Sequence, residues 1–353
     1  MNAIAGKRFV LVTANVAAVL NRLRNETESP RQDFVELARV LNAEILSFSD
    51  ISGGSWFTRL LQRWAGDAVA LAWMGFSRRG TFYFVTAENT ALPLALLLKF
   101  RQGAPLVFIG HRLTTPIKSR MIKIFRLFDR ISAILCYSRQ QEQFLHSLGM
   151  PAEKVHRVAF QVDEKFFSPL KPFTPGQGVV SVGRELRDYP TLFQAIEGTG
   201  IPLTVVASSP WSKREDQTQQ RQIPVNVVLR KGLSSSELRD LYRGAAVVVV
   251  PLMNVDWPAG VTSLFEAQAC GRPVVISASG GIMDSVDPEA AVTVPCGDFK
   301  AMREAIIRLC NNPDEAATIA NAGFESVRQA RTLDQFVARI AKICGNAEAK
   351  GNQ

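Results

Sequence analysis

Several kinds of chemistry are missing from this 353-residue chain. It has three histidines, no His-Glu-x-x-His helix and no Asp-x-Asp dyad, so neither a zinc hydrolase nor a metal-dependent transferase is indicated. No Walker A sequence and no Gly-x-Gly-x-x-Gly loop is present. The five cysteines, Cys136, Cys270, Cys296, Cys310 and Cys344, include no Cys-x-x-Cys pair. Odd in number and mostly inside apolar runs, they read as buried free thiols in a reducing compartment. No apolar run approaches the roughly 18 residues of a spanning helix. Met1–Arg8 leads into a strand pattern without the apolar stretch of a secretory signal. The expected location is the cytoplasm, with at most peripheral attachment to the cytoplasmic face of the inner membrane.

What is present is ordinary globular composition, 47% apolar and 21% charged, at a length suited to two domains. The net charge of +9 is unevenly placed. Residues 1–160 hold 21 Lys/Arg against 11 Asp/Glu, a balance of +10, and residues 161–353 hold 20 against 21, a balance of −1. Lys99–Arg157 alone has 11 basic and 3 acidic residues. The halves therefore face different partners.

Short β-branched runs alternate with helical patterns. In the first half they are Arg8–Thr13, Ala43–Phe48, Thr81–Ala87, Pro105–Ile109, Ile131–Tyr137 and Val155–Ala159. In the second they are Gly178–Gly183, Ile201–Ala207, Pro224–Arg230, Ala245–Pro251, Arg272–Ser277 and Ala290–Pro295. Runs apolar throughout, such as 245–251, suit strands buried on both faces of parallel sheets. Six per half predict an α/β chain of two doubly wound domains. Three prolines within Ser168–Pro175 suggest the linker, giving domains at 1–168 and 169–345 and a loose tail at 346–353. The last helix, with Leu333, Phe336, Val337, Ile340 and Ile343 on one face, is free to pack back on the first domain. Ser29–Gln32 reads as a capping box opening a helix that buries Phe34, Leu37, Ala38 and Leu41.

The most informative stretch runs from Gly260 to Ile276. Gly260, Val261, Thr262 and Ser263 form a helix entrance, whose free N–H groups and partial positive charge suit a phosphate. Glu266 follows between one and two turns in, among Leu264, Phe265, Ala267 and Ala269, where a carboxylate fits hydroxyl groups of a ligand. An ordinary αβ unit with one partly exposed Glu is the plainer alternative. Upstream, the run ending at Gly183-Arg184 is followed by Arg187 and a helix opening at Asp188-Tyr-Pro.

Together these segments resemble the donor site of the retaining GT-B glycosyltransferases, the family-four-like glycosyl transferases group 1. Their motif runs Glu, seven residues, Glu, then Ala-x-Ala-x-Gly-x-Pro-Val-Val. Glu266 matches the second Glu, whereas Pro258 stands in place of the first, with Asp256 two residues away as a substitute carboxylate. The match is specific over about 179–308 and weak over 1–160. The resemblance implies two Rossmann-like domains with a cleft between them, and transfer of a sugar with retention from a UDP- or GDP-linked donor. It gives Arg184 and Arg187 the diphosphate, with the turn at Gly183 beside them, and Gly280-Gly281 before Asp284 a supporting turn. Glu266 takes the ribose or donor sugar. His111, after the run Leu106–Ile109, would orient the reacting sugar, and Glu88, at another strand end, would contact substrate or cap a helix. No metal is called for. A non-catalytic nucleotide-sugar-binding or scaffold relative is the alternative.

The basic half points to the acceptor. In Ile117–Arg130, at helical spacing, Ile117, Met121, Ile124, Phe125 and Phe128 share one face and Lys123, Arg126 and Arg130 the other. This is either a core-packed helix with a solvated basic face or an interfacial one. Trp56–Trp64 adds Trp, Leu and Arg at similar spacing. A lipid-linked, glycolipid or polysaccharide acceptor at an anionic membrane surface is expected. Nucleic acid is not, because no nucleic-acid motif accompanies the charge.

Overall fold

A computed structural model describes residues 7–25, 28–101, 103–170, 174–207 and 223–351. All twelve expected runs form strands: β1 (Arg8–Val12), β2 (Glu44–Ser47), β3 (Phe82–Val85), β4 (Leu106–Ile109), β5 (Ala133–Cys136), β6 (Val155–Arg157), β7 (Val179–Val182), β8 (Leu203–Val206), β9 (Val227–Arg230), β10 (Val247–Val250), β11 (Val274–Ser277) and β12 (Val292–Val294). The helices are α1 (Ala17–Asn25), α2 (Asp33–Leu41), α3 (Trp56–Ala65), α4 (Asp67–Ser77), α5 (Glu88–Leu97), α6 (Pro116–Ile124), α7 (Arg139–Ser147), α8 (Tyr189–Ile196), α9 (Ser235–Gly244), α10 (Val261–Ala269), α11 (Phe299–Asn311), α12 (Pro313–Ala330) and α13 (Leu333–Gly351).

The strands make two six-stranded sheets, β2-β1-β3-β4-β5-β6 and β12-β11-β10-β7-β8-β9, with every pairing parallel. Strand order reverses direction between β1 and β3 in the first and between β7 and β10 in the second. These are the switch points outside which ligands bind in open α/β sheets. The chain forms two compact units: Met1–Thr27, Arg31–Val158 and Asp334–Gln353 in one, Glu28–Pro30 and Ala159–Leu333 in the other. The change of unit after Val158 precedes the proline segment at 168–175, of which residues 171–173 lie outside the described residues.

The second sheet shows why an all-valine strand is stable. Side chains alternate along β10, so Val248 and Val250 join Val180, Val182, Val274, Ile276 and the apolar face of α10 in one layer. Val247 and Val249 pack with α8 and α11 through Leu192, Phe193, Met302 and Ile306 in the other. Both faces of β10 are covered by apolar side chains.

Three local expectations change. Helix α2 starts at Asp33 with Gln32 as an extended N-cap, not at Ser29. Asp33 and Glu36 fall in its first turn, where the helix dipole favours negative charge; Phe34, Leu37, Ala38 and Leu41 are buried as expected. Helix α13 runs to Gly351, so most of the expected tail is helical. Cys344 and Ala347 extend its buried stripe, and Glu348 pairs with Arg8 at 3.1 Å. Helix α6 ends at Ile124, before Arg126 takes a left-handed φ of 47°. Ile122 and Leu127 face the core, leaving Ile117, Ile124 and Phe125 exposed. All five cysteines are free, and burial pushes the Cys136, Cys270 and Cys344 thiols up to about 12. Among the described residues no helix is long and apolar enough to cross a membrane.

Candidate functional site

In the second unit the polar groups gather where β7 and β10 end side by side. Gly183 leaves β7 with φ of +118°, a conformation open to glycine. The chain then doubles back through Leu186, also left-handed, and returns to Arg187. Arg187 is 5% exposed. Its Nε donates to Val182 O at 3.1 Å, Nη1 to Glu185 O at 3.0 Å and Nη2 to Ser263 Oγ at 3.0 Å. The Ser263 hydroxyl in turn donates to Val182 O at 3.1 Å. A Cβ on Gly183 would stand 2.3 Å from Arg187 Nη2, so the guanidinium occupies the space glycine leaves. Asp188 N donates to Pro251 O at 3.0 Å and Met253 N to Leu186 O at 3.1 Å, locking the turn to the end of β10.

This limits what two expected ligands can offer. Arg187 is not a free cation for a diphosphate, because a short loop carries it inward and three of its N–H groups serve the protein. Burial accordingly pulls its pKa down. The Ser263 side chain is likewise engaged, so Ser263 offers only its backbone N–H. Arg184 is different. It is half-buried, it makes no hydrogen bond or ion pair with the described residues, and its shielded Nε has no acceptor.

Helix α10 begins beside this turn. Its N-cap, Gly260, has φ of +85° and no side-chain cap, and a Cβ there would lie 2.9 Å from side-chain carbons of Val250 and Leu252. Close seating on β10 therefore demands glycine. The first-turn N–H groups of Val261, Thr262 and Ser263 have no intrahelical acceptor. Val261 packs its side chain into the core, whereas the Thr262 side chain is exposed.

Glu266 lies one turn deeper. Burial pushes its carboxyl up to about 7 against the opposing pull of Tyr242 and Arg187. Tyr242 OH donates to Oε2 at 3.0 Å, while Oε1 has no donor among the described residues. Tyr242, on α9 and fully buried, is the partner sequence reasoning missed. A lone tyrosine in the polar helix Ser-Ser-Glu-Leu-Arg-Asp-Leu-Tyr-Arg was the available signal.

The loop with Pro258 packs on Gly280-Gly281. Gly281 N donates to Val255 O at 2.7 Å and Gly280 N to Asn254 Oδ1 at 3.1 Å. The glycine pair thus seats this loop, since a Cβ on Gly281 would fall 2.2 Å from the Trp257 carbonyl oxygen. Asp256 is exposed on the loop and hydrogen-bonds to no described residue.

In the first unit, Glu88 opens α5 and is 3% exposed. Its carboxylate accepts from His111 N at 2.9 Å, Arg112 N at 3.2 Å and Lys118 Nζ at 2.6 Å. Burial alone would raise its pKa, but Lys118 and the His111 contacts outweigh it and hold the carboxyl below the usual range. Both oxygens are engaged by the protein, so Glu88 neither caps α5 nor offers substrate an unused oxygen; it fixes the loop after β4. That loop presents His111, an exposed ring whose Nε2 sits 2.9 Å from Thr86 O and whose backbone oxygen accepts from Gln141. With Nε2–H assigned to Thr86 O, Nδ1 is the outward acceptor. Nearby, Thr13 N donates to Thr86 Oγ1 at 3.0 Å, Thr13 Oγ1 to Thr90 at 3.1 Å and Ser49 Oγ to Asn15 at 2.7 Å. These uncharged groups brace the loop after β1 where no glycine-rich turn exists. They too escaped sequence reasoning, because hydroxyls at strand ends carry no spacing signature.

Comparison with known proteins bears on the fold and on part of the second unit. Residues 186–312 match the family model described as Glycosyl transferases group 1. A D-inositol 3-phosphate glycosyltransferase of Saccharomonospora viridis is 35% identical over 105 residues, covering 29% of this chain and 24% of the relative. The chain thus spans about a quarter of the length of that curated relative. Among solved structures, sucrose-phosphate synthase from Thermosynechococcus elongatus superposes with a TM-score of 0.73 at 15% identity, covering 98% of this chain and all of the other. Anabaena Alr3699/HepE, solved in complex with UDP-glucose, gives 0.72 at 14% identity, covering 96% of this chain and 99% of the other. The chain has the two-sheet GT-B fold, and a stretch of its second unit, residues 186–312, matches the glycosyl transferases group 1 model.

Proposed function

We propose that the protein is a glycosyltransferase that moves a sugar, with retention, from a UDP- or GDP-linked donor to a lipid-linked, glycolipid or polysaccharide acceptor. The observation that carries this reading is Arg184, a cation without a partner among the described residues, at the switch point where α10 starts uncapped. Charge that develops on the departing diphosphate falls to Arg184 and the N–H groups of Val261, Thr262 and Ser263. Glu266 Oε1 accepts a hydroxyl of the ribose or donor sugar, with Tyr242 holding the other oxygen. His111 orients the reacting sugar. The acceptor hydroxyl attacks from the face the diphosphate leaves, and its proton passes to the departing phosphate oxygen. The charge is met by the protein's own cations and dipoles, so the scheme calls for no metal. The UDP-glucose complex of Anabaena Alr3699/HepE, which shares the fold, supports the choice of donor class. The basic first half, at +10 over residues 1–160, suits an anionic acceptor at the cytoplasmic face of a membrane.

Thermal-shift screening against UDP, GDP, ADP and their sugars tests the donor assignment. The wild type should shift with at least one, and Arg184→Ala and Glu266→Ala should lose most of that shift. No shift in the wild type, or equal shifts in both variants, overturns it. Pro258, standing where the motif has its first Glu, favours a second reading, a binding protein that keeps the donor and transfers nothing, whereas the exposed Asp256 two residues away favours transfer as a substitute carboxylate. Release of free nucleotide in the presence of lipid-linked acceptors decides between them.

A further inference from the structure

Helix α3 carries an unusual surface. Its ten residues, Trp-Phe-Thr-Arg-Leu-Leu-Gln-Arg-Trp-Ala, contain no acid. At 100° per residue, Arg59, Arg63, Trp56, Leu60 and Trp64 fall in that order around one arc of about 140°. All five are exposed, Trp56 by 70% and Trp64 by 80%. The opposite side holds the helix down. Thr58 is buried, Leu61 packs on the core, and Phe57 meets Trp73 edge-on at 4.9 Å. Ser55 caps the start, accepting from Thr58 N at 3.2 Å. The tryptophans thus stand out from a firmly seated helix.

Helix α6 repeats the mixture. Its outward arc presents Ile117 and Ile124, 81% and 73% exposed, beside Arg120 and Lys123. Trp56, Trp64, Phe100 and Phe125, the exposed large aromatic side chains among the described residues, all belong to the first unit. Indole rings flanked by guanidinium groups match an anionic lipid interface, where the ring sits at headgroup depth and the cation pairs with phosphate. A second copy of the chain fits worse, since it would set Arg59 and Arg63 against like charge.

We infer that α3 docks the first unit onto an anionic bilayer, with Trp56, Leu60 and Trp64 entering the interface and Arg59 and Arg63 binding lipid phosphates. The helix follows β2 through a short 3-10 segment, Phe48–Gly53, so it enters from the strand-end side of the first sheet. Its purpose, delivery of a lipid-linked acceptor, rests on the function proposed above, but the docking is tested without any sugar.

The experiment is co-sedimentation with phosphatidylcholine vesicles, with and without a third of the lipid as phosphatidylglycerol. Wild type should bind only the anionic vesicles, with a blue shift in tryptophan emission, and salt should weaken the binding. Trp56→Ala/Trp64→Ala should bind about tenfold more weakly or worse. Arg59→Gln/Arg63→Gln should lose less affinity and most of the salt dependence. Each variant should keep the wild-type melting temperature and nucleotide shift. The proposal fails if wild type ignores anionic vesicles or if the tryptophan variant binds them equally. It also fails if that variant instead abolishes a concentration-dependent dimer seen by ultracentrifugation. Vesicle binding without any nucleotide shift would sink the donor reading and leave the docking intact.

Discussion

The two switch points solve one problem with opposite charges. In the first unit a buried carboxylate, Glu88, gathers backbone N–H groups and Lys118 and so holds out His111. In the second a buried guanidinium, Arg187, gathers carbonyl oxygens and Ser263 and so holds out Arg184. Each pairs an inward charge that shapes a loop with an outward group that the loop presents. The pairs differ in compensation. Glu88 has a counter-ion at 2.6 Å, whereas the hydrogen-bond acceptors of Arg187 are neutral oxygens. A charged residue at a strand end is therefore a ligand for substrate only where the fold leaves its polar atoms unused.

Removing the inward charges should break the comparison most visibly. Arg187→Met leaves Ser263 and two carbonyls without their donor and should cost about 3–5 kcal/mol, read by urea unfolding. Nucleotide binding should fall with it. Arg184→Met should leave the unfolding midpoint nearly unchanged while weakening nucleotide binding by about 1.5–3 kcal/mol, seen by calorimetry. If both variants lose stability equally, the division into inward and outward cations is wrong.

Glu88→Gln should cost about 2 kcal/mol at neutral pH, because the amide cannot satisfy both Lys118 and two backbone donors. Its folded pKa is depressed, so the carboxylate's stabilisation is complete above the unfolded value of about 4.3. It disappears as pH falls through the folded value. Stability measured from pH 6 downward should fall less steeply in the variant. Near pH 5 the mildest change is Glu266→Gln. Here the folded pKa is raised to about 7, so the unfolded state ionises first and stability declines as pH rises from about 4.3 to 7. The variant should lack that decline, differing from wild type by about 1 kcal/mol or less near pH 5. An identical pH profile would show that the carboxyl is not shifted.

Much of this architecture was legible in the residues. Arg8–Thr13 and Ala245–Pro251 announce buried strands because an unbroken apolar, β-branched run cannot be satisfied with one face in water. Gly260 and Glu266 fall on the helix entrance and inner turn that their spacing implies. The roles of individual charges were not legible. Arg184 and Arg187 are alike in sequence, and Glu88 and Glu266 both precede or sit in apolar helices. Only the return of the 183–187 turn onto α10, and of the 110–118 loop onto α5, separates them.

The sequence by itself determined the alternation of strand and helix, and with it the two parallel sheets, because periodicity and burial are local properties of the chain. It also determined the charge imbalance between the halves. The tertiary structure decided which polar atoms remain unused. It set Tyr242 against Glu266, turned Arg187 inward and left Arg184 unpaired among the described residues. It also rotated Ile122 and Leu127 of the basic segment into the core, which put Ile117 and Ile124 outside. Those outcomes depend on contacts between segments as much as 76 residues apart, as in the bond from Arg187 to Ser263, and no local pattern encodes them.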